Sequence, residues 1–90
     1  MLTRYMPPLP LGLLVLEKYK TFTAFAKVAG VSRQAISKYF SPNPKNWTNP
    51  QLHQAKRMAE ALGMTLDEFS ERLERERQEQ LRKLKEVQSA

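Results

Sequence analysis

The fold of this chain is decided by residues 21–40, which read TFTAFAKVAGVSRQAISKYF. Apolar residues in the first half recur at intervals of three and four, the spacing of one face of an α-helix: Phe22, Phe25, Ala26 and Ala29. Thr21 is suited to cap the start of this helix, and Gly30 stands where a left-handed C-cap would end it. The pattern therefore predicts a helix over about residues 22–29.

The second half of the stretch predicts another short helix with almost no loop between the two. Ser32 is a suitable N-cap for a helix over about residues 33–40. Ile36, with one or both of Tyr39 and Phe40, is expected to be buried. Two short helices joined so tightly must pack at a steep angle, which is the geometry of a helix-turn-helix.

The sequence before this pair predicts an irregular arm and one more helix. Residues 1–8 end in two adjacent prolines, which disfavour a helix, whereas Pro10 suits the first turn of one. We therefore expect an arm over residues 1–8 and a helix over about residues 11–19.

A turn-rich loop at residues 41–49 is predicted to lead into a fourth helix. Asn49 matches the N-cap of that helix and Pro50 matches its first position. Its expected buried residues are Leu52, Ala55, Ala59 and Leu62. Gly63 then ends the helix.

A fifth and much longer helix is predicted over residues 66 to about 87. Thr65 and Glu68 form its capping box. Its core stripe consists of Leu66, Phe69 and Leu73. We therefore divide this all-α chain into a helix-turn-helix domain at residues 1–73 and a helical extension at residues 74–90.

Positive charge is concentrated around the helix-turn-helix. The chain has a formal net charge of +6, yet residues 18–59 contain no acidic residue. The cations of that stretch are Lys18, Lys20, Lys27, Arg33, Lys38, Lys45, Lys56 and Arg57. Such segregation produces a local positive potential that favours a polyanion as the partner.

The composition argues against membrane, disulfide and enzyme classes. The longest apolar run, residues 9–16, is interrupted by Pro10 and Gly12 and falls short of the roughly 20 residues that cross a bilayer. It also lacks the flanks of a signal peptide, and there is no cysteine. We expect a cytoplasmic protein with no membrane partner.

No residue pattern predicts catalysis. We find no nucleophile with a base, no carboxylate cluster in an apolar setting and no phosphate-binding glycine loop. His53 is the one histidine and has no second ligand at metal-binding spacing. We therefore expect a protein that is not an enzyme and that uses neither a metal nor a cofactor.

These residues resemble the lambda-repressor-like helix-turn-helix family, also called the Cro/CI or XRE family. Residues 21–39 carry the first part of the likeness, TxxxFAxxxGVSxxxISxY, and residues 59–69 carry the second, AxALGMTLDEF. The likeness covers about residues 11–73. It implies a bundle of about five helices in which the helix starting after Ser32 reads the major groove of DNA.

Within such a motif, the N-terminal residues of the second helix reach the edges of the bases. The predicted base contacts are Ser32, Arg33, Gln34, Ser37 and Lys38. Arg33 is suited to a bidentate pair with guanine, and Gln34 to the same with adenine. The predicted phosphate contacts are Thr21, Thr23, Lys27, Lys45, Asn46 and Thr48.

The resemblance also implies a homodimer, since this family generally binds inverted repeats. Candidate dimer residues are Phe69, Leu73, Leu81, Leu84 and Val87. Alternatively, the extension contacts a protein partner, or it is simply a solvated helix. We expect a transcriptional regulator of phage or bacterial origin, a repressor, with double-stranded DNA as its partner.

A protein-interaction module is the alternative function, either an antitoxin or a modulator of another regulator or polymerase. The long C-terminal helix and three aromatic residues motivate it. Phe22 replaces the glutamine with which the family usually contacts a phosphate, and Phe40 replaces an acidic residue. If Phe22, Phe40 and Trp47 were exposed together, they would form an apolar patch for a protein partner.

Overall fold

The protein is described by a computed structural model over residues 6–89, with side chains described up to residue 86. This part of the chain contains helices and no strand. The helices are α1 (Pro10–Tyr19), α2 (Phe22–Ala29), α3 (Arg33–Tyr39), α4 (Leu52–Ala61) and α5 (Leu66–Ser89), with a 3₁₀ turn at Pro44–Asn46. The predicted all-α fold with five helices and a long C-terminal helix is confirmed.

The arm is seen only in part. Residues 6–8 are non-helical, as predicted, and residues 1–5 lie outside the described residues. The described chain has extents of 40 × 24 × 20 Å. Between residues 6 and 89, no helix is both long enough and apolar enough to cross a membrane.

The two helices of the predicted helix-turn-helix begin at their predicted caps, and α3 ends at Tyr39, one residue before the predicted end. The hydroxyls of Thr21 and Ser32 each accept a backbone N–H from three residues further on, at 3.1 Å. Gly30 adopts φ 74° and ψ 31°, and its N–H donates to the carbonyl of Ala26 at 2.8 Å. A glycine suits this left-handed position because any Cβ would strain it.

Phe40 lies at the centre of the core, where α3 ends against α1, α2 and α5. Its side chain is fully buried, and its ring centroid lies 6.4 Å from that of Phe22 and 6.5 Å from that of Phe69. A Cβ added at Gly12 would lie 2.9 Å from the Cβ of Phe40, so α1 approaches closely only because residue 12 is a glycine. Burial removes Phe40 from the apolar surface patch considered above.

The start of α4 differs from the prediction. Asn49 and Pro50 remain outside the helix, which starts at Leu52 after a cap at Gln51. The reason is a competing partner, because the side-chain oxygen of Asn49 accepts a hydrogen bond from Nη1 of Arg77 at 2.9 Å. Leu52 is 71% exposed, so its predicted burial was wrong. The residues of α4 that do face the core are Ala55, Met58 and Ala59.

The connection between α1 and α2 carries an unusual backbone conformation. Lys20 has φ 73°, and no other non-glycine residue among residues 6–89 has a positive φ. Its N–H donates to the carbonyl of Leu16 at 2.9 Å and closes α1. The hydroxyl of Tyr19 donates to the carbonyl of Ala61 at 3.0 Å, which ties the end of α1 to α4.

The helix α5 opens on the predicted capping box. The N–H of Thr65 donates to the carboxylate of Glu68 at 2.9 Å, and the N–H of Glu68 donates to the Thr65 hydroxyl at 3.1 Å. Phe69 and Leu73 are buried, as the core stripe requires. Leu66 is partly buried against the same core.

The buried face of α5 continues past Leu73 with two charged residues, Glu76 and Arg77, which are 9% and 8% exposed. The carboxylate of Glu76 accepts the backbone N–H of Leu11 at 2.8 Å. It also pairs with Nε of Arg72 at 2.8 Å. The first turns of the extension therefore pack onto α1 and onto the loop after α3.

Candidate nucleic-acid interface

The recognition helix of the predicted motif, α3, has one buried face and one exposed face. Ile36 is fully buried and Tyr39 is 5% exposed, and burial raises the pKa of the Tyr39 phenol. The five predicted base contacts are all exposed: Ser32, Arg33, Gln34, Ser37 and Lys38. The polar side chains are thus held outward by a helix anchored on its back.

Four of these five residues line a single groove: Arg33, Gln34, Ser37 and Lys38. Asn46 of the 3₁₀ turn, a predicted phosphate contact, lines the same groove. Phe22 and Pro42 contribute apolar lining. The structure therefore brings the loop after α3 alongside the face that is predicted to read bases.

The predicted phosphate contacts occupy two segments. Thr21, Thr23 and Lys27 belong to the start and body of α2, whereas Lys45, Asn46 and Thr48 belong to the loop. All six are exposed. The Asn46 amide donates to the Ser41 hydroxyl at 3.3 Å, and Thr48 offers its carbonyl to Arg77 at 2.6 Å.

Among the described residues, the cations of residues 18–59 form no ion pair with a carboxylate. The ion pairs found within residues 6–86 all lie inside α5, between Arg72 and Glu76 and between Arg82 and its neighbours Glu79 and Glu86. The positive charge around α2, α3 and the loop is therefore not neutralised by internal pairing. An anion at this surface would meet no local repulsion from a carboxylate of the same segment.

Sequence reasoning missed the residues that hold the loop in place. Arg77 donates to the loop and to the end of α3, and its guanidinium carbon lies 5.1 Å from the centroid of the Trp47 ring. The indole N–H of Trp47 donates to the carbonyl of Ser41 at 2.7 Å. The amide of Gln80 donates to the carbonyl of Pro42 at 2.9 Å.

A signal for these contacts does exist in the sequence. Residues 69, 73, 77 and 80 follow one another at intervals of four and three, so Arg77 and Gln80 continue the helical face that buries Phe69 and Leu73. A polar residue that prolongs a buried stripe is a candidate for a buried contact. Burial lowers the pKa of Arg77, opposed by the nearby charge of Glu74.

The candidate dimer residues fall into two groups. Phe69 and Leu73 are 1% and 6% exposed within a single chain, so they offer little surface to a second copy. Leu81 is 42% exposed, and with Leu84 it lines a groove against the 3₁₀ turn. The side chain of Val87 lies outside the described residues.

In the part of the chain that the structure describes, no group of three or more acidic or histidine side chains is placed to hold a metal ion. No protein-family model matches the chain, and it has no significant match among curated proteins or solved structures.

Proposed function

We propose that the protein is a sequence-specific, double-stranded DNA-binding transcriptional regulator of the lambda-repressor-like type. In this proposal it is a cytoplasmic repressor of bacterial or phage origin, and it acts by binding rather than by catalysis. The observation that carries the proposal is that α3 has one buried face and one exposed, polar face. Ile36 anchors its back in the core, whereas Arg33 and Gln34 stand exposed on the outside.

The dimensions and chemistry of DNA suit this face. The major groove admits one α-helix and displays a different hydrogen-bond pattern for each base pair. Arg33 carries two donors for guanine, and Gln34 carries a donor and an acceptor for adenine. The unpaired cations around α3 would supply sequence-independent affinity for the phosphates.

The direct test is selection of bound sites from random DNA duplexes, followed by titration with salt. We expect a palindromic motif and an affinity that falls steeply as the salt concentration rises. A flat salt response, or the absence of any enriched motif, would contradict the proposal.

Two variants separate base reading from phosphate binding. Arg33→Ala should relax the preference at one base pair by about 1–3 kcal/mol. Lys45→Ala should weaken binding to all duplexes alike and lower the slope of the salt dependence by about one. Lys83→Ala, which removes the same charge from an exposed position of α5, is the matched control.

We further propose that the protein binds as a homodimer, with half-sites about 34 Å apart along the duplex. Leu81 is the described dimer candidate with the most exposed side chain. Leu81→Glu should lower the dimer population in analytical ultracentrifugation. An unchanged sedimentation coefficient would remove this part of α5 from the dimer contact.

A protein-interaction module is the second candidate, and the groove lined by Leu81 and Leu84 favours it. Such a module would capture a defined partner even after the DNA has been digested. Leu81→Glu should then abolish capture while leaving DNA binding intact. Loss of capture on nuclease treatment would instead indicate that DNA bridges the two proteins.

A further inference from the structure

We propose that Arg77 is a positioning residue for DNA binding, although it lies on α5 and outside the helix-turn-helix. It holds the loop of residues 41–49 against the end of α3. This contact places Lys45 and Asn46 where they reach DNA phosphates when α3 lies in the major groove. The inference rests on the proposed function and adds to it a role for the extension.

The contacts of Arg77 converge on both ends of the loop. Nη2 donates to the carbonyl of Tyr39 at 3.1 Å, where α3 ends, and to the carbonyl of Thr48 at 2.6 Å. Nη1 donates to the amide oxygen of Asn49 at 2.9 Å. One guanidinium therefore fixes the distance between the last residue of α3 and the far end of the loop.

The planar face of the same guanidinium contacts Trp47, the residue that directly follows the 3₁₀ turn. Its carbon lies 5.1 Å from the centroid of the Trp47 ring. Trp47 follows Asn46 in the chain and donates its indole N–H to Ser41 across the loop. A movement of Arg77 would therefore be passed to Asn46 and to the neighbouring Lys45.

A lysine would not replace this arginine. Arginine offers a rigid fork of donors and a flat surface for stacking, whereas an ammonium group is a point charge on a flexible stem. The side chain is 8% exposed, and its Nε atom has no hydrogen-bond partner among the described residues. The cost of burying the charge is thus offset by the contacts of Nη1, Nη2 and the ring.

Ser41 and Asn43 hold the loop together internally: the Ser41 hydroxyl accepts the N–H of Asn43 and the amide of Asn46, and the Asn43 side chain accepts the N–H of Lys45. Those bonds shape the loop, whereas Arg77 ties it to the end of α3.

The only regular structure of the loop within residues 41–51 is the 3₁₀ turn at Pro44–Asn46. Gln80 adds one hydrogen bond, to Pro42 at the opposite end. Connecting loops are more mobile than the elements they join, and order in them has to come from specific contacts. Removing Arg77 should therefore loosen the loop before it disturbs α3.

The first experiment needs no DNA. Trp47 is the one tryptophan of the chain, so fluorescence excited at wavelengths that the three tyrosines do not absorb reports on the loop. Arg77→Lys should shift the emission to the red and raise quenching by acrylamide, while circular dichroism keeps the helical signal. Arg75→Lys, at an exposed position of the same helix, is the control and should change neither. Unchanged Trp47 quenching in folded Arg77→Lys would overturn the proposal.

The second experiment is a double-mutant cycle in DNA binding. Arg77→Lys should weaken binding about tenfold, as expected when one or two phosphate contacts are lost. Lys45→Ala should then weaken binding much less in the Arg77→Lys protein than in the wild type. Lys27→Ala, on α2, should cost the same in both. Equal costs of Lys45→Ala in the two backgrounds would show that Arg77 does not act through the loop.

A milder variant covers the case in which Arg77→Lys does not fold. Asn49→Ala removes one acceptor of Arg77 and leaves α5 untouched, and it should change Trp47 quenching and DNA affinity in the same direction by a smaller factor. If the wild type shows no salt-dependent DNA binding, the proposed function fails and the role of Arg77 in it fails too. A failure confined to the variants would leave the proposed function standing.

Discussion

The helix-turn-helix and the loop that follows it are held by contacts of different range. In residues 21–40, the caps at Thr21, Gly30 and Ser32 bond to atoms three or four residues away. In the loop, Arg77 reaches partners 28, 29 and 38 residues away. The caps of the first region are specified by residues that are neighbours in the sequence. The second region has local bonds of Ser41 and Asn43 as well, but its position against α3 is fixed only when α5 has packed.

Phe40, where the two regions meet, should give the largest effect on stability. Phe40→Ala removes a fully buried ring from the centre of the core, and we expect a loss of about 3–5 kcal/mol in the free energy of unfolding. Urea denaturation followed by circular dichroism measures it. Val28→Ala, at a site that is 49% exposed, should cost less than about 0.5 kcal/mol. Similar costs at the two sites would contradict the burial of Phe40.

Substitutions of Asn49 distinguish its long-range contact with Arg77 from a role as a helix cap. Asn49→Ser keeps a capping side chain but does not reach Arg77, so we expect it to destabilise the fold by about 1.5 kcal/mol, as much as Asn49→Ala. The value is the low end for a hydrogen bond to a charged group, because Asn49 is exposed. If serine restored the stability that alanine loses, Asn49 would be acting as the N-cap of α4.

Ser32 tests the local region in the same way. Ser32→Ala should cost about 1 kcal/mol and Ser32→Gly only a few tenths, because glycine is tolerated at an N-cap. Ser37→Ala is the control, since that exposed serine lies inside α3 and caps nothing. The cost of Ser32→Ala should add to that of Asn49→Ala, and strong coupling would show that the two regions are not independent.

The smallest expected effect is the contribution of the α5 capping box to the pH dependence of stability. Hydrogen bonds from the backbone and hydroxyl of Thr65 hold the pKa of Glu68 below its usual 4.5. A carboxyl whose pKa is lowered by folding stabilises the fold above its unfolded pKa. That stability is lost as the pH falls through the folded value.

Glu68→Gln keeps the acceptor without the titration, so its thermal stability should depend less on pH below about 4.5. The dependence should not vanish, because the hydrogen bond from Arg82 also lowers the pKa of Glu79. Glu71→Gln alters a carboxylate outside the capping box and serves as the control. Parallel curves for the wild type and Glu68→Gln would exclude this contribution.

How well a contact could be predicted from the sequence depends on the distance along the chain between its two residues. Caps at Thr21, Ser32 and Thr65 depend on residues a few positions apart, so short patterns suffice to predict them. Asn49 and Pro50 carry an equally good signal, yet the prediction failed there. A charged donor from α5 binds the Asn49 side chain more strongly than the neutral amides of a helix would.

The candidate site also combines local features that the sequence predicts with long-range contacts that it does not. The exposure of Arg33 and Gln34 follows from the position of Ile36 in a short helix, and the sequence contains both facts. The contacts of Arg77 depend on where α5 crosses the end of α3, which no local pattern specifies. The helical face of Phe69 and Leu73 marks Arg77 as a candidate for burial, but only the fold shows which carbonyls its guanidinium meets.

The backbone at Lys20 has a consequence for how this protein would respond to selection. A φ of 73° is unfavourable for a residue with a Cβ, so Lys20 destabilises the fold relative to a glycine at the same position. In a library randomised at this codon, survivors of a heat challenge should be enriched in glycine, because Lys20 combines φ 73° with ψ −35°. Survivors of a heparin-affinity step should be enriched in lysine and arginine. If the two selections enriched different residues, position 20 would be a site where thermal stability and polyanion binding favour different side chains.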